Sequence, residues 1–290
     1  MCGPLLNTDL IAVASEALER DATSVMIGLG VTVTLVVTYL HWRRHGADPF
    51  RGAEVRSSRI TATLALLPAC GFLLASALFV AAHRRLVGTD LTEAARLGIN
   101  SLAQAVGAVC CLWVAARYFR GGVGRFLCPR RRLAGQLGAA LIYLMAAEAL
   151  CELTAQGTQW LFLLFDPDYV LVEHAVIEAL RDPTEPAWAP LVLWIGAVLI
   201  APVAEECFFR GMLATMLLRT VRMRWVAVLA PSVLFGLAHA NQPHVIPALT
   251  LFGIILGIQY ERCGSLAGPI ALHALFNLKT LIWQWCVVGV

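Results

Sequence analysis

From Ile60 to Ala82 the chain runs 23 residues without a charged side chain. At about 1.5 Å per helical residue, such a run crosses the ~30 Å hydrocarbon core of a bilayer. Apolar runs of this kind recur along the whole chain. They begin near Val25–Leu40 and Leu97–Ala116, and a further one goes from Leu133 towards Phe165. The C-terminal half adds Trp188–Leu218, Trp225–Ala240, Val245–Tyr260 and Pro269–Val288. The expected fold is therefore all-α, a polytopic membrane helical bundle of about eight transmembrane helices. Charged residues make up 14% of the 290 and hydrophobic ones 59%. A soluble domain carries roughly 25% charged residues, so no segment is left to form a second, water-soluble domain.

The loops set an orientation. Five Arg lie between Arg43 and Arg59, six between Arg117 and Arg132, and three between Arg219 and Arg224, with Arg262 making fifteen. The alternate segments hold five: Arg20, Arg84, Arg85, Arg96 and Arg181. By the positive-inside rule the first set is cytoplasmic and both termini lie outside. An inner (plasma) membrane location with Arg-rich loops in the cytoplasm is expected. Short Arg-rich loops between spans are not a nucleic-acid surface, so no nucleic-acid partner is expected. The first 23 residues lack a basic region ahead of an apolar core, so no cleaved signal peptide is expected. Loop 166–187 is acidic and Pro-punctuated, with room for a short helix near Val170–Arg181. Nine Cys, an odd number with no CxxC spacing, read as thiols packed as small hydrophobes.

The fifth apolar stretch breaks the pattern. It carries Glu205, Glu206 and Arg210 within an otherwise lipid-compatible run. A charge at bilayer depth costs at least ~2.5–3.5 kcal/mol on insertion scales, so three of them mark a functional site by default. Residues four apart share a helix face, and Glu206 precedes Arg210 in the favourable order, so these two are expected to pair. Glu205 is rotated by about 100° and stays available for other work. Its own four-apart neighbour is Phe209, which keeps water scarce around the carboxylate, the setting of a general base. Pro202 is expected to kink the overlong stretch just before the pair. Cys207 points away from Glu206 and is a poor nucleophile candidate.

Two polar pairs follow downstream. Phe235 and His239 are four apart on the sixth run, and His273 and Asn277 are four apart on the eighth. Counted from the Arg-rich helix ends, Glu205 and His239 both lie ~20 Å deep, so they can meet. His273 lies only four residues into its run, so it joins them only if the turn at Gly264–Pro269 dips into protein-lined membrane depth. Singly, each His is more often a satisfied helix contact. Jointly, Glu205, His239, His273 and Asn277 could hold a water or metal and stabilise an oxyanion. Glu148 and Glu152, one turn apart in the fourth run, are expected to face the bundle, and Lys279 to snorkel or pair with a buried acid.

Glu205-Glu206-x-x-x-Arg210, Phe235-x-x-x-His239 and His273-x-x-x-Asn277, in this order, resemble the three motifs of the CAAX protease and bacteriocin-processing family. The resemblance covers roughly residues 185–280. It implies an intramembrane endopeptidase acting on a membrane-associated or lipidated peptide or protein, with the bilayer as its other partner. Glu205 would activate water and His239 would position that water or bind metal. His273 with Asn277 would stabilise the oxyanion, while Glu206, Arg210 and Phe235 support the site. If the family's chemistry uses zinc, Glu205, His239 and His273 are its expected ligands; no His-Glu-x-x-His stands in the sequence. Residues 1–132 are then accessory helices of about three spans, and 133–290 the catalytic core of about five. The same core used for peptide or bacteriocin maturation or self-immunity is an alternative. An ion-coupled transporter, or a noncatalytic scaffold, is the alternative from another class.

Overall fold

The computed structural model describes residues 5–51, 53, 58–88, 90–127 and 133–284, with side chains from residue 22 onward except at 45. Arg56, Arg130, Arg131 and Arg132, which entered the reading of loop charge, lie outside the described residues. The described chain is helical throughout. Its elements are α1 (Leu5–His45), α2 (Ala62–Leu86), α3 (Glu93–Tyr118), α4 (Gly122–Leu127), α5 (Leu133–Phe165) and α6 (Ala175–Arg181). There follow α7 (Ala189–Val221), α8 (Arg224–Leu237), α9 (Ile246–Cys263) and α10 (Ala267–Trp283).

Six of these segments are long and apolar enough to cross a bilayer: Ala22–Arg44 within α1, then α2, α3, α5, α7 and Pro243–Cys263. The expected number was about eight. The sixth and eighth runs are shorter helices, of 14 residues in α8 and 17 in α10. α8 stops at Leu237 because the chain turns there, ahead of Pro243, to build a wall of the cavity described below. Large apolar side chains such as Leu35, Leu73, Val109, Trp160, Leu191 and Leu199 are exposed on the outside of the bundle. In water that surface would aggregate; in lipid it costs nothing.

Helices α2 and α3 pack as one antiparallel pair and α8 and α9 as another, while α5 runs along α1, α9 and α10. The main core is aromatic and branched: Phe126, Met212, Phe235, Phe252, Leu256, Tyr260, Leu266 and Leu272 are all almost fully buried. A smaller cluster lies under α6, where Val176, Ile177 and Ala179 meet Ala94, Ala189, Leu193 and Leu281. α6 begins later than the sequence pattern suggested, at Ala175, because the His174 imidazole caps it by accepting from Val176 N at 3.2 Å. Glu185 at the other end of this loop accepts from Ala94 N at 3.0 Å, tying it to the start of α3.

The turn between α9 and α10 meets the condition set for His273. α9 continues to Cys263 and ends on Gly264, left-handed at φ 69°, with its N–H on Tyr260 O. Ser265 and Leu266 are fully buried. Leu266 N donates to Phe126 O at 3.1 Å, and Gln136 holds both Ser265 Oγ and Gly268 N. Irregular backbone with all of these partners inside protein is what membrane depth permits.

Candidate active site

α7 is not one regular helix. Between Ala189–Ile195 and Thr215–Val221 it contains two π-helical stretches, Gly196–Ile200 and Cys207–Ala214, which bracket one α-helical piece, Ala201–Glu206. Pro202, expected to kink the stretch, stands just after the first π-helical stretch. There Ala201 N–H bonds Gly196 O, five residues back, and Pro202 has no N–H to give. Ala197 O is thereby left without a backbone donor, and Asn277 Nδ2 donates to it from α10 at 2.8 Å. In the second stretch, Thr215 Oγ1 donates to Arg210 O at 3.3 Å. Wide turns of this kind gather at functional sites, because they re-aim side chains without ending the helix.

The intervening α-helical piece keeps Glu205 and Glu206 on different faces, as their spacing requires. Glu206 is fully buried and Arg210 nearly so; Arg210 Nη1 donates to Glu206 Oε1 at 2.7 Å and its Nη2 to Gly253 O at 3.0 Å. The guanidinium also lies over the Phe235 ring, 5.0 Å from its centre. The same Glu206 Oε1 is 3.0 Å from His273 Nδ1. Glu206 is therefore the hinge of the site, since it holds the histidine as well as the arginine. Glu206 Oε2 is buried with no hydrogen-bond partner among the described residues.

Each histidine is oriented by the acceptor it faces. Glu206 paired with Arg210 only accepts, so the hydrogen of neutral His273 sits on Nδ1 and its Nε2 lone pair faces Glu205 Oε2 at 3.8 Å. That is too long for a direct hydrogen bond. His239 lies two residues past the end of α8, in a tightened turn where its N bonds Gly236 O at 3.0 Å. The expected shared face with Phe235 nevertheless holds: His239 Nδ1 is 3.0 Å from Phe235 O and the rings are 5.3 Å apart. A carbonyl also only accepts, so His239 Nε2 carries the lone pair. Phe235 and Phe252 present their rings edge-on to His273 at 5.6 and 5.4 Å, which locks the imidazole in place.

Glu205, His239, His273 and Asn277 line one cavity of about 710 Å³. Its walls are otherwise largely apolar, with Phe72, Phe208, Phe209, Phe235, Phe252 and Phe276 among them. Two further polar residues were not singled out from the sequence. Gln104 of α3 donates from Nε2 to Glu205 Oε1 at 3.4 Å. His174, the cap of α6, stands in the same wall close enough to His239 for their charges to interact. Neither has a local signature, since a Gln within an apolar helix and a His in an acidic loop gain meaning only from tertiary placement. His244 is buried in a 3-10 turn with Nδ1 3.5 Å from Tyr169 Oη. Lys279 pairs with Glu148 at 2.7 Å, outside the cavity lining.

Glu205, His239 and His273 offer a carboxylate and two imidazole nitrogens, the ligand types of a catalytic zinc site. Among the described residues, however, no three His, Cys, Asp or Glu side chains gather closely enough to hold a metal ion. The arrangement suits a water molecule better. A gap of 3.8 Å between two acceptors, Glu205 Oε2 and His273 Nε2, is the spacing that a bridging donor fills.

Residues 187–279 match the family model described as type II CAAX prenyl endopeptidase Rce1-like. No curated protein and no solved structure matches the chain.

Proposed function

We propose, from the match of residues 187–279 to the Rce1-like CAAX prenyl endopeptidase model, that the chain is an intramembrane endopeptidase whose general base is Glu205. The observation that carries this reading is that Glu205, His239 and His273 line one cavity, with His273 Nε2 3.8 Å from the Glu205 carboxylate. A water donating one hydrogen to Glu205 and one to His273 keeps its own lone pair free for a peptide carbonyl. Glu205 takes the proton as the oxygen adds to the carbonyl carbon, and then returns it to the departing amine nitrogen.

The carbonyl oxygen gains the negative charge and needs donors. In their neutral forms, as oriented here, both histidines present acceptors at Nε2. Donors on the lining include the second amide hydrogen of Asn277, whose first is held by Ala197 O, and the amide of Gln104. Glu206, Arg210 and Phe235 hold the frame. The substrate is a peptide segment of a membrane-associated polypeptide, threaded in extended form into a cavity too small for a folded domain.

The test is cleavage of a membrane-anchored peptide library in proteoliposomes, with Glu205→Gln as the control. Sequence-dependent cleavage lost in the variant supports the assignment, and equal cleavage by the variant removes Glu205 from it. Zinc is the remaining arm: stoichiometric metal in the purified protein, together with loss of cleavage on chelation, would replace the water-only scheme.

A further inference from the structure

The two adjacent carboxylates of α7 are held by different kinds of donor. Glu206 is clamped by the Arg210 guanidinium, whose positive charge ties up the negative one. Glu205 Oε1 instead faces the Gln104 side chain, with Nε2 at 3.4 Å. An ionised carboxylate only accepts, so the Gln104 amide turns its N–H, and not its oxygen, to Glu205. A neutral donor fixes a carboxylate without neutralising it. The charge stays available for taking a proton, whereas an arginine at the same place would hold it in an ion pair.

The need for such a hold is geometric. The last torsion of a glutamate joins an sp³ to an sp² carbon and has a broad, two-fold profile. The helix therefore places the Glu205 side chain but leaves the plane of its two oxygens open. With Oε1 on Gln104, Oε2 is the oxygen that faces His273 Nε2 at 3.8 Å. Gln104 reaches this point because α3 lies tight against α7. A Cβ at Gly98 would stand 3.2 Å from Val192 Cγ1, and one at Gly196 would collide with Ser101 Oγ. Gly98 and Ser101 both lie within about two helical turns of Gln104.

We infer that Gln104 is a positioning residue for the general base: its amide holds Glu205 Oε1, so that Oε2 is the oxygen that accepts the proton of the attacking water. This rests on the endopeptidase reading for the reaction, and on the contact of α3 with α7 for the hold. It makes α3, which lies ahead of the residues that match the Rce1-like model, part of the reacting site.

Gln104→Met keeps the length of the side chain and removes its donor. Cleavage of one membrane-anchored peptide is measured in proteoliposomes for the full-length parent, Gln104→Met, Glu205→Gln and the double variant. Gln104→Met is expected to lower kcat about tenfold, the low end for a hydrogen bond to a charged group, with KM and the melting temperature close to the parent's. In the Glu205→Gln background the same substitution should lower the residual rate by less than about twofold, because the base that it orients is already gone. An equal loss in both backgrounds overturns the inference and makes Gln104 a direct donor to the substrate. A raised KM or an early melt overturns it as well. A second readout needs no cleavage. The infrared carboxyl bands that disappear in Glu205→Gln are expected to shift in Gln104→Met, and unmoved bands overturn the inference whatever the kinetics. Shifted bands in a parent that cuts no peptide count against the endopeptidase reading alone and leave Gln104 as the group that orients Glu205.

Discussion

At the level of single residues the site is a division of labour between two adjacent carboxylates. Glu206 is fully buried and satisfies Arg210 and His273 together, so removing one partner exposes the others to an unpaired charge. Breaking a buried ion pair in this way costs about 3–5 kcal/mol. Arg210→Met is therefore expected to lower the unfolding temperature in detergent strongly, and adding Glu206→Gln should recover part of the loss. Glu205 keeps about 20% of its side chain exposed and holds no ion pair of the Glu206–Arg210 kind. Glu205→Gln should leave the melting temperature close to that of the parent and reduce cleavage by the ~10²–10⁴-fold typical of a general base. A variant that melts early as well would show that Glu205 is part of the frame. The sequence made this division legible, because a 100° offset between neighbours and a four-residue spacing to Arg210 are properties of any α-helix. It did not reveal that His273 bonds Glu206 rather than Glu205, since that choice is made by the approach of α10.

At the level of elements, the informative feature is the irregularity of α7. Apolar length located the helix and Pro202 located its disturbance, but the form of the disturbance was illegible. Which group takes the carbonyl orphaned by a proline is decided by the neighbouring elements, not by the helix's own sequence. Here Asn277 takes it, which joins a residue of the third motif to the backbone ahead of the first. A half-buried carbonyl that loses its donor costs about 1 kcal/mol or slightly more. Asn277→Ala is expected to cost that much, and Pro202→Ala in the same protein to return some of it by restoring an N–H near Ala197 O. Strict additivity of the two substitutions in a thermal-denaturation cycle would disprove the link. The α8–α9 pair shows a second constraint that no spacing rule reveals. A Cβ at Gly253 would come within 2.9 Å of Ser232 Cβ, while Gly253 O holds Arg210. Gly253→Val should cost ~1–3 kcal/mol by overpacking and loosen the guanidinium at the same time.

At the level of the whole molecule, α2, α3 and the loop 166–187 complete a cavity whose other walls come from the C-terminal helices. Gln104 and His174 both lie outside the residues that match the Rce1-like model, and both face the site. The helices before residue 133, expected as accessory, thus contribute Asn100, Ser101 and Gln104 to the wall. His174 gives this closure a dependence on pH. Its side chain is exposed where it lines the cavity, with protein packed around the rest of the ring. Burial, with a smaller contribution from His239, pushes its pKa down to about 4 from an ordinary value near 6.5. The folded chain therefore holds His174 neutral, with Nδ1 accepting from Val176 N at the start of α6. Between pH 6.5 and 4 the unfolded or undocked segment binds a proton that the docked one refuses. The docked state thus keeps its full stability above pH 6.5 and loses it as pH falls towards 4. Below that window Nδ1 is protonated and can no longer cap the helix. His174→Asn retains a capping side chain without a titrating group, and the difference between it and the parent isolates His174. Hydrogen exchange over residues 174–181 should accelerate in the parent on acidification from pH 6.5 to 4 and change far less in His174→Asn. Equal acceleration in both proteins would place the pH response elsewhere, with His239 and the Glu173–Arg181 pair as the groups to examine next.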